Sequence, residues 1–379
     1  MVDPIILSER LRDPDVTSRL IPRIKTLMKG LRHVKFMHVC GSHEHTITYY
    51  ALRSLLPENL ELVSGPGCPV CVCAVSDIYD AIKLARMGKT VCTFGDMLKD
   101  RTPYGSLEDE RSKGADVRIV YSPLDAVNIA RDNPEKDVVF FGVGFETTAA
   151  PICSLMFEKI PENFSILTSL KRTSPAVESL LQQGKISLDG VIAPGHVSTI
   201  VGANDWSNIP NKFMIPTIVS GFEPADVLLS TLYLLEQVKN GRHDLMIEYT
   251  RLVKPDGNPR AKEILARGFE IRETYWRGMG RVPGSGYFIR PEFKPLDARA
   301  RFDITSEENT DGEMPKGCMC HKIVIGEAYP SDCALFRAGV CRPDSPAGPC
   351  MVSREGTCYI WFRYGGGNQP AVSRKKVKV

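Results

Sequence analysis

A chain of 379 residues with 43% hydrophobic side chains has room for two or three ordinary hydrophobic cores. Its formal net charge of +3 is too small to point to nucleic acid by itself. No apolar run is long enough to span a bilayer, and the opening MVDPIILSERLRD lacks the basic and long apolar regions of a secretory signal, so the expected compartment is the cytoplasm.

Residues 4–30 read as a helical segment, with Ile5, Leu7, Leu11, Leu20, Ile24 and Leu27 set among charges. Strand and helix patterns then alternate. Strands are expected at 34–40, 60–65, 90–96 and 116–122, with helices at 43–56, 75–88 and 123–134. The alternation resumes at DVVFFGVGF (137–145), whose unbroken apolar run suits a strand buried on both faces. Further strands are expected at 164–170, 190–195 and 213–221, and helices at 149–159, 174–183 and 225–238. After about residue 240 the pattern weakens. A helix over 258–273 is followed by Gly- and Pro-rich, then acidic, then cysteine-rich sequence. The predicted fold class is α/β: two parallel-sheet domains and a smaller irregular cysteine-rich domain. The expected divisions are a helical segment at 1–30, α/β domains at 31–130 and 131–240 with a boundary near 123–136, and an iron–sulfur domain at 241–379.

Open parallel sheets bind ligands beyond the C-terminal ends of their strands. The polar motifs of this chain fall there: CGSHEHT after the first strand, SGPGCPVCVC after the second, FGDMLKD after the third, then GVGFETT, APGHVST and SGFEP. These loops are therefore expected to face one cleft. Cys68-Pro-Val-Cys71 is a CxxC, a spacing that allows a disulfide or a shared metal, and Cys40 ends the neighbouring strand. His43 beside Cys40 suits a proton acceptor or metal ligand, or else a polar helix cap. His43 and His45, two residues apart, do not share a helix face, so HEH is not a zincin-type site. Cys73, Cys92 and Cys153 read as packing residues. GVGFETT resembles a Gly-rich anion loop, but no Walker lysine, dinucleotide acid or kinase signature accompanies it.

Cys318, Cys320, Cys333, Cys341, Cys350 and Cys358 crowd the C-terminal region. In a cytosolic chain such density favours metal binding over a disulfide knot. The spacing Cys318-x14-Cys333-x7-Cys341-x16-Cys358 has no paired zinc knuckles and suits an iron–sulfur cluster. Cys320 and Cys350 are then surplus, as a redox pair or as inert thiols.

In chain order, HVCGSHEHT, SGPGCPVC, TFGDMLK, FFGVGFETTAAP, APGHVS, SGFEP and DCALFRAGVCRPDSPAGPCMVSREGTC resemble the signature segments of the HypD hydrogenase-maturation family over nearly the whole chain. The resemblance implies a scaffold for the iron of nickel–iron hydrogenases, an iron that carries cyanide and carbon monoxide. It implies HypC as scaffold partner and the HypE–HypF pair as cyanide donor, with neither nucleic acid nor membrane involved. It implies working thiols at Cys40, Cys68 and Cys71, and a [4Fe–4S] cluster on Cys333, Cys341, Cys358 and either Cys318 or Cys320, with Cys350 as an alternative ligand. Whether such a scaffold is an enzyme stays open. Two rival readings are an iron–sulfur-dependent thiol-disulfide oxidoreductase and a non-catalytic scaffold whose cluster only stabilises the third domain.

Overall fold

The computed structural model of the chain describes residues 9–306 and 314–365. The basic closing segment SRKKVKV lies outside them. Eleven strands are described, and they form two sheets. The first sheet has the order β2-β1-β7-β8-β9, built from β1 (Val34–His38), β2 (Leu60–Ser64), β7 (Gly190–Pro194), β8 (Thr217–Ser220) and β9 (Leu245–Ile247), all parallel. The second has the order β10-β11-β6-β5-β3-β4, built from β3 (Thr90–Thr93), β4 (Val117–Ile119), β5 (Val138–Gly144), β6 (Phe164–Lys171), β10 (Phe269–Trp276) and β11 (Gly280–Ile289). Its β3 to β6 run parallel, and the β10–β11 hairpin adds on antiparallel to β6. The α/β class with a cysteine-rich C-terminal segment is as the sequence predicts.

The sheets interleave along the chain. The first half supplies only β1 and β2 to the first sheet before crossing to the second for β3 to β6, and β7 returns to the first. The boundary expected near 123–136 therefore does not separate the two sheets. All eight parallel strands expected before residue 240 are present. Every residue of β5 is buried, as its apolar run requires. Three strands beyond residue 240 were not expected. β9 has three residues, too few for a periodic signal. The predicted helix over 258–273 stops early: Pro259–Gly268 is helical, and Phe269 opens β10. β11 carries Gly280, Pro283, Gly284 and Gly286, a composition that hides a strand. Residues 241–306 thus supply strands to both sheets.

The N-terminal helix Pro14–Met28 starts on an Asp13 cap and buries Leu20, Ile21, Ile24 and Met28. These pack with Val227, Leu228 and Leu235 of the helix Pro224–Lys239. The C-terminal cysteines share one core cluster with Cys68, Cys71, Val139 and Val191, so their segment packs into the sheets' own core. Among the described residues, no helix is long and apolar enough to cross a membrane.

Candidate functional site

Each sheet reverses its direction of growth once. In the first sheet this happens between β1 and β7, and in the second between β3 and β5. Such switch points open a crevice at the strand ends, where neighbouring loops part. Cys40 stands at the first. It is the N-cap of the helix Gly41–Tyr49, and its sulfur accepts the Ser42 N–H at 3.3 Å. Burial pushes the Cys40 thiol up to about 11; the charge of Glu355 adds to this, while the Ser42 and His43 N–H groups oppose it. An ionised Cys40 therefore needs a cation or a base beside it.

His43 is fully buried one turn on. Its Nε2 donates to the Gly221 carbonyl at 2.9 Å, and its ring stacks on Phe222 with centroids 4.7 Å apart. Burial lowers its pKa to about 3, helped by His38. The ring is therefore neutral, with Nδ1 as a lone-pair acceptor that has no hydrogen-bond partner among the described residues. His196, from the loop after β7, approaches the same Phe222 ring at 5.0 Å. The loops after β1, β7 and β8 thus meet beside Cys40.

Cys68 and Cys71 are joined as a disulfide in the loop after β2. That loop touches Cys40 directly. A Cβ added at Gly67 would lie 2.4 Å from the Cys40 nitrogen and 2.5 Å from its Cα, so only glycine admits the contact. Parallel pairing of β1 and β2, with His38 opposite Ser64, sets this juxtaposition.

The C-terminal cysteines converge. The sulfurs of Cys320, Cys350 and Cys358 lie within 4.8 Å of one another, all buried. Cys318 Sγ is 3.3 Å from Cys320 Sγ. Cys341 Sγ accepts the Ala347 N–H at 3.3 Å, and the adjacent Gly348 packs against the sulfurs of Cys318 and Cys320. Cys333 Sγ approaches the carbonyl of Gly317 at 3.8 Å. Cys350, expected only as an alternative, lies inside the tightest group, whereas Cys333 and Cys341 are not part of it. Mutual hydrogen bonding orders the protons within that group: contacts from Cys320 and Cys358 pull Cys350 down to about 6, while Cys358 is driven well above the usual thiol range. Buried sulfurs this close repel one another as thiolates, so full ionisation demands a cationic centre among them. The donor set fits a thiolate-bound metal or iron–sulfur cluster.

The comparisons with known proteins agree in kind. The family profile described as "HypD: Hydrogenase formation hypA family" matches residues 15–365. A hydrogenase expression/formation protein of Methanocaldococcus jannaschii is 43% identical over 358 residues, covering 93% of this chain and 98% of its own. The hydrogenase maturation factor HypD of Azotobacter vinelandii is 40% identical over 96% of this chain and 98% of its own. The hydrogenase maturation factor HypD2 of Bradyrhizobium diazoefficiens is 39% identical over 94% and 96%. The chain belongs to the HypD family.

As a HypD protein its strand-end loops divide between two clefts rather than facing one. A cleft of about 450 Å³ is lined by Gly41, Ser42, His45, Thr46, Phe222 and Glu223, among others. A second, of about 380 Å³, lies at the β3–β5 switch point and is lined by Pro69, Phe94, Asp96, Val143 and Thr148 among others. Arg354 and Glu355 line both. Their segment bridges the sheets: Ser353 Oγ and the Arg354 N–H donate to Asp96, while Glu355 packs its backbone on Gly41. Cys358, three residues on, is thereby brought to the Cys40 side. Glu146 of GVGFETT is buried on Thr173 and does not line either cleft. Cys92 and Cys153 are core residues, as expected.

Glu44 carries a role that the motif HEH alone did not disclose. Its two carboxylate oxygens take hydrogen bonds from Thr48, Ser64, Trp361 and a bidentate Arg53, and His38 Nε2 lies 2.9 Å away. One buried carboxylate thus ties β1, β2 and the C-terminal helix Thr357–Tyr364 together. The sequence assigns Glu44 no role of its own; only its tertiary neighbours reveal a structural hub.

Proposed function

We propose that this chain is the scaffold on which the Fe(CN)2CO centre of a nickel–iron hydrogenase is assembled, acting with HypC and receiving cyanide from the HypE–HypF pair. The iron is its cargo. Cys40 supplies a soft thiolate, well suited to an iron that also binds cyanide and carbon monoxide. A single protein thiolate, joined by one from HypC, leaves coordination positions open for the diatomic ligands. The neutral His43 ring, with Nδ1 free of a hydrogen-bond partner among the described residues, offers a lone pair for a further ligand role, while its burial makes it a poor base. The Cys68–Cys71 pair alternates between disulfide and dithiol, taking up or releasing two electrons and two protons.

Cys333, Cys341, Cys358 and either Cys318 or Cys320 hold the [4Fe–4S] cluster in this reading, with Cys350, which sits in the tightest sulfur group, as the alternative ligand. The backbone N–H bonds to the Cys318 and Cys341 sulfurs support these two as thiolate ligands. When bound, the cluster supplies one-electron chemistry beside the thiol sites.

The observation that carries the scaffold reading is the contact of Gly67 with Cys40 at the switch point of the first sheet, which sets a redox-capable pair beside a buried thiol in a ligand-binding crevice. The rival of a general thiol-disulfide oxidoreductase is disfavoured by burial: Cys71 has no exposed surface and Cys68 only 6%. Infrared spectroscopy of protein co-purified anaerobically with HypC tests the proposal. Cyanide and carbon monoxide stretching bands are expected in the wild type and absent from Cys40→Ala. Iron-loaded wild-type complex without such bands rules the proposal out.

A further inference from the structure

The tip of the β10–β11 hairpin stands between the CxxC loop and the C-terminal cysteines. The Arg277 N–H donates to the carbonyl of Val72, the residue between Cys71 and Cys73, at 3.0 Å. On the other side Gly278, at φ +80°, packs so closely on His321 that an added Cβ would lie 2.9 Å from the His321 Cβ. His321 follows Cys320. One tight turn therefore touches both thiol-bearing segments.

The turn also carries a buried charge. The Arg277 side chain is 1% exposed, and so is that of Asp100. Arg277 Nη1 lies 2.8 and 2.9 Å from the two Asp100 oxygens, and Nη2 donates to the Arg101 carbonyl at 3.2 Å. A second buried cation stands nearby. Lys171 Nζ donates to the Tyr275 carbonyl at 2.9 Å and lies 3.9 Å from Asp77. Asp77 in turn accepts from Ser169, whose hydroxyl is 3.4 Å from the Cys73 sulfur. The segment Cys71–Cys73 thus lies against the buried Arg277–Asp100 pair on one side and, through Ser169, near the part-buried Asp77, which Lys171 and Arg299 share, on the other. A guanidinium keeps its charge at every working pH, and charges act further through protein than through water.

We propose that Arg277, held by Asp100, is a positioning residue that sets the reduction potential of the Cys68–Cys71 couple. The proposal rests on the reading that this pair alternates between disulfide and dithiol. With a dithiol reductant, one reductant thiolate attacks a sulfur of the Cys68–Cys71 bond, which breaks to leave a mixed disulfide and one protein thiolate. The second reductant thiol then closes its own disulfide and releases the other protein thiolate. The two protons of the reductant end on Cys68 and Cys71, and its two electrons reside in the new thiols. A nearby cation stabilises thiolate and favours the dithiol side; the Asp100 carboxylate tempers that effect.

The test is a redox titration of the full chain in dithiothreitol buffers, read by alkylation and mass spectrometry of the peptide carrying Cys68 and Cys71. Arg277→Gln is expected to shift the equilibrium about tenfold toward the disulfide, or about 30 mV more negative. Asp100→Asn, which leaves the cation uncompensated, is expected to shift it the opposite way. Arg277→Lys keeps the charge and is expected to stay close to wild type. A purely structural role lowers the melting temperature of all three variants but leaves the titration unchanged, or moves Arg277→Gln and Asp100→Asn in one direction; either result overturns the proposal. If Arg277→Gln does not fold, Asp100→Asn carries the test with the same required sign, and failure of both to fold assigns the pair a structural role only. The titration uses the isolated chain, so normal maturation by Cys68→Ser and Cys71→Ser variants would refute the maturation reading without touching this result.

Discussion

Cys40 sits in a loop at a strand end and its side chain supports no core layer, so Cys40→Ala should open no large cavity. The variant is expected to keep its fold and its C-terminal iron, and to lose hydrogenase maturation. Normal maturation by that variant would remove Cys40 as the iron ligand. Cys68→Ser and Cys71→Ser should each block maturation, with the double variant no worse than either, because two residues of one redox unit are not additive. Glu44 gives a stability prediction of different origin. Burial alone would raise its carboxyl pKa, but the Arg53 charge and the hydrogen bonds of His38 and Arg53 outweigh burial and hold it well below the ordinary carboxylate range. Its contribution to stability is therefore complete above the ordinary carboxylate range and is lost as pH falls through the lowered value. Glu44→Gln leaves the part-buried Arg53, 11% exposed, without its anion and is expected to cost at most about 3–5 kcal/mol at neutral pH. Thermal melts from about pH 6 downward should show a shallower acid dependence in the variant than in wild type. An identical slope would mean that other carboxylates govern acid unfolding.

At the scale of elements, the site depends on loops pressed together where no side chain fits. The Gly67 contact with Cys40 is one case. Gly348 is the other: a Cβ there would lie 2.5 Å from the Cys318 sulfur and 2.9 Å from that of Cys320. Gly348→Ala is expected to displace both thiols, at the cost of about 1–3 kcal/mol typical of overpacking, and to lower iron and labile sulfide per chain. Full iron content in that variant would show that neither Cys318 nor Cys320 is fixed by the Gly348 turn. Both glycines lie in loops whose flanking prolines already mark them as turns in the sequence. What no turn signal conveys is the partner across the contact. The cysteine census has the same limit. Spacing singles out Cys318, Cys333, Cys341 and Cys358, while the folded chain draws Cys350 and Cys320 to Cys358. Sulfur positions depend on how short helices such as Pro349–Val352 and Thr357–Tyr364 pack, and spacing along the chain does not encode that.

Across the whole molecule, the cysteine-rich segment clasps both sheets. It reaches the first through Thr357 on Ser64 and Trp361 on Glu44, and the second through Ser353 and Arg354 on Asp96. Removal of iron by a chelator under anaerobic conditions should therefore loosen residues 314–365 first. Limited proteolysis is expected to cut that segment while the two sheets stay intact, and the cleavage should be reversed by reconstitution with iron and sulfide. Equal resistance of apo and loaded protein would separate the cluster from the stability of this region.

The amino-acid sequence by itself determined eight parallel strands, the helices between them and the placement of reactive residues in strand-end loops. These follow from local periodicity and turn chemistry, which act over a few residues. The ordered motifs also determined the family. Tertiary structure alone decided which strand lies beside which: β3 to β6 leave the first sheet and β7 rejoins it, a choice made by pairing energies between residues more than a hundred positions apart. It also decided that Gly-rich β11 is a strand, because hydrogen bonding to β6 and β10 outweighs its poor propensity. Glu44 as a hub, Arg277 between two thiol sites and the tight grouping of Cys320, Cys350 and Cys358 emerge only there as well, since each is defined by neighbours that burial and packing bring together from distant parts of the chain.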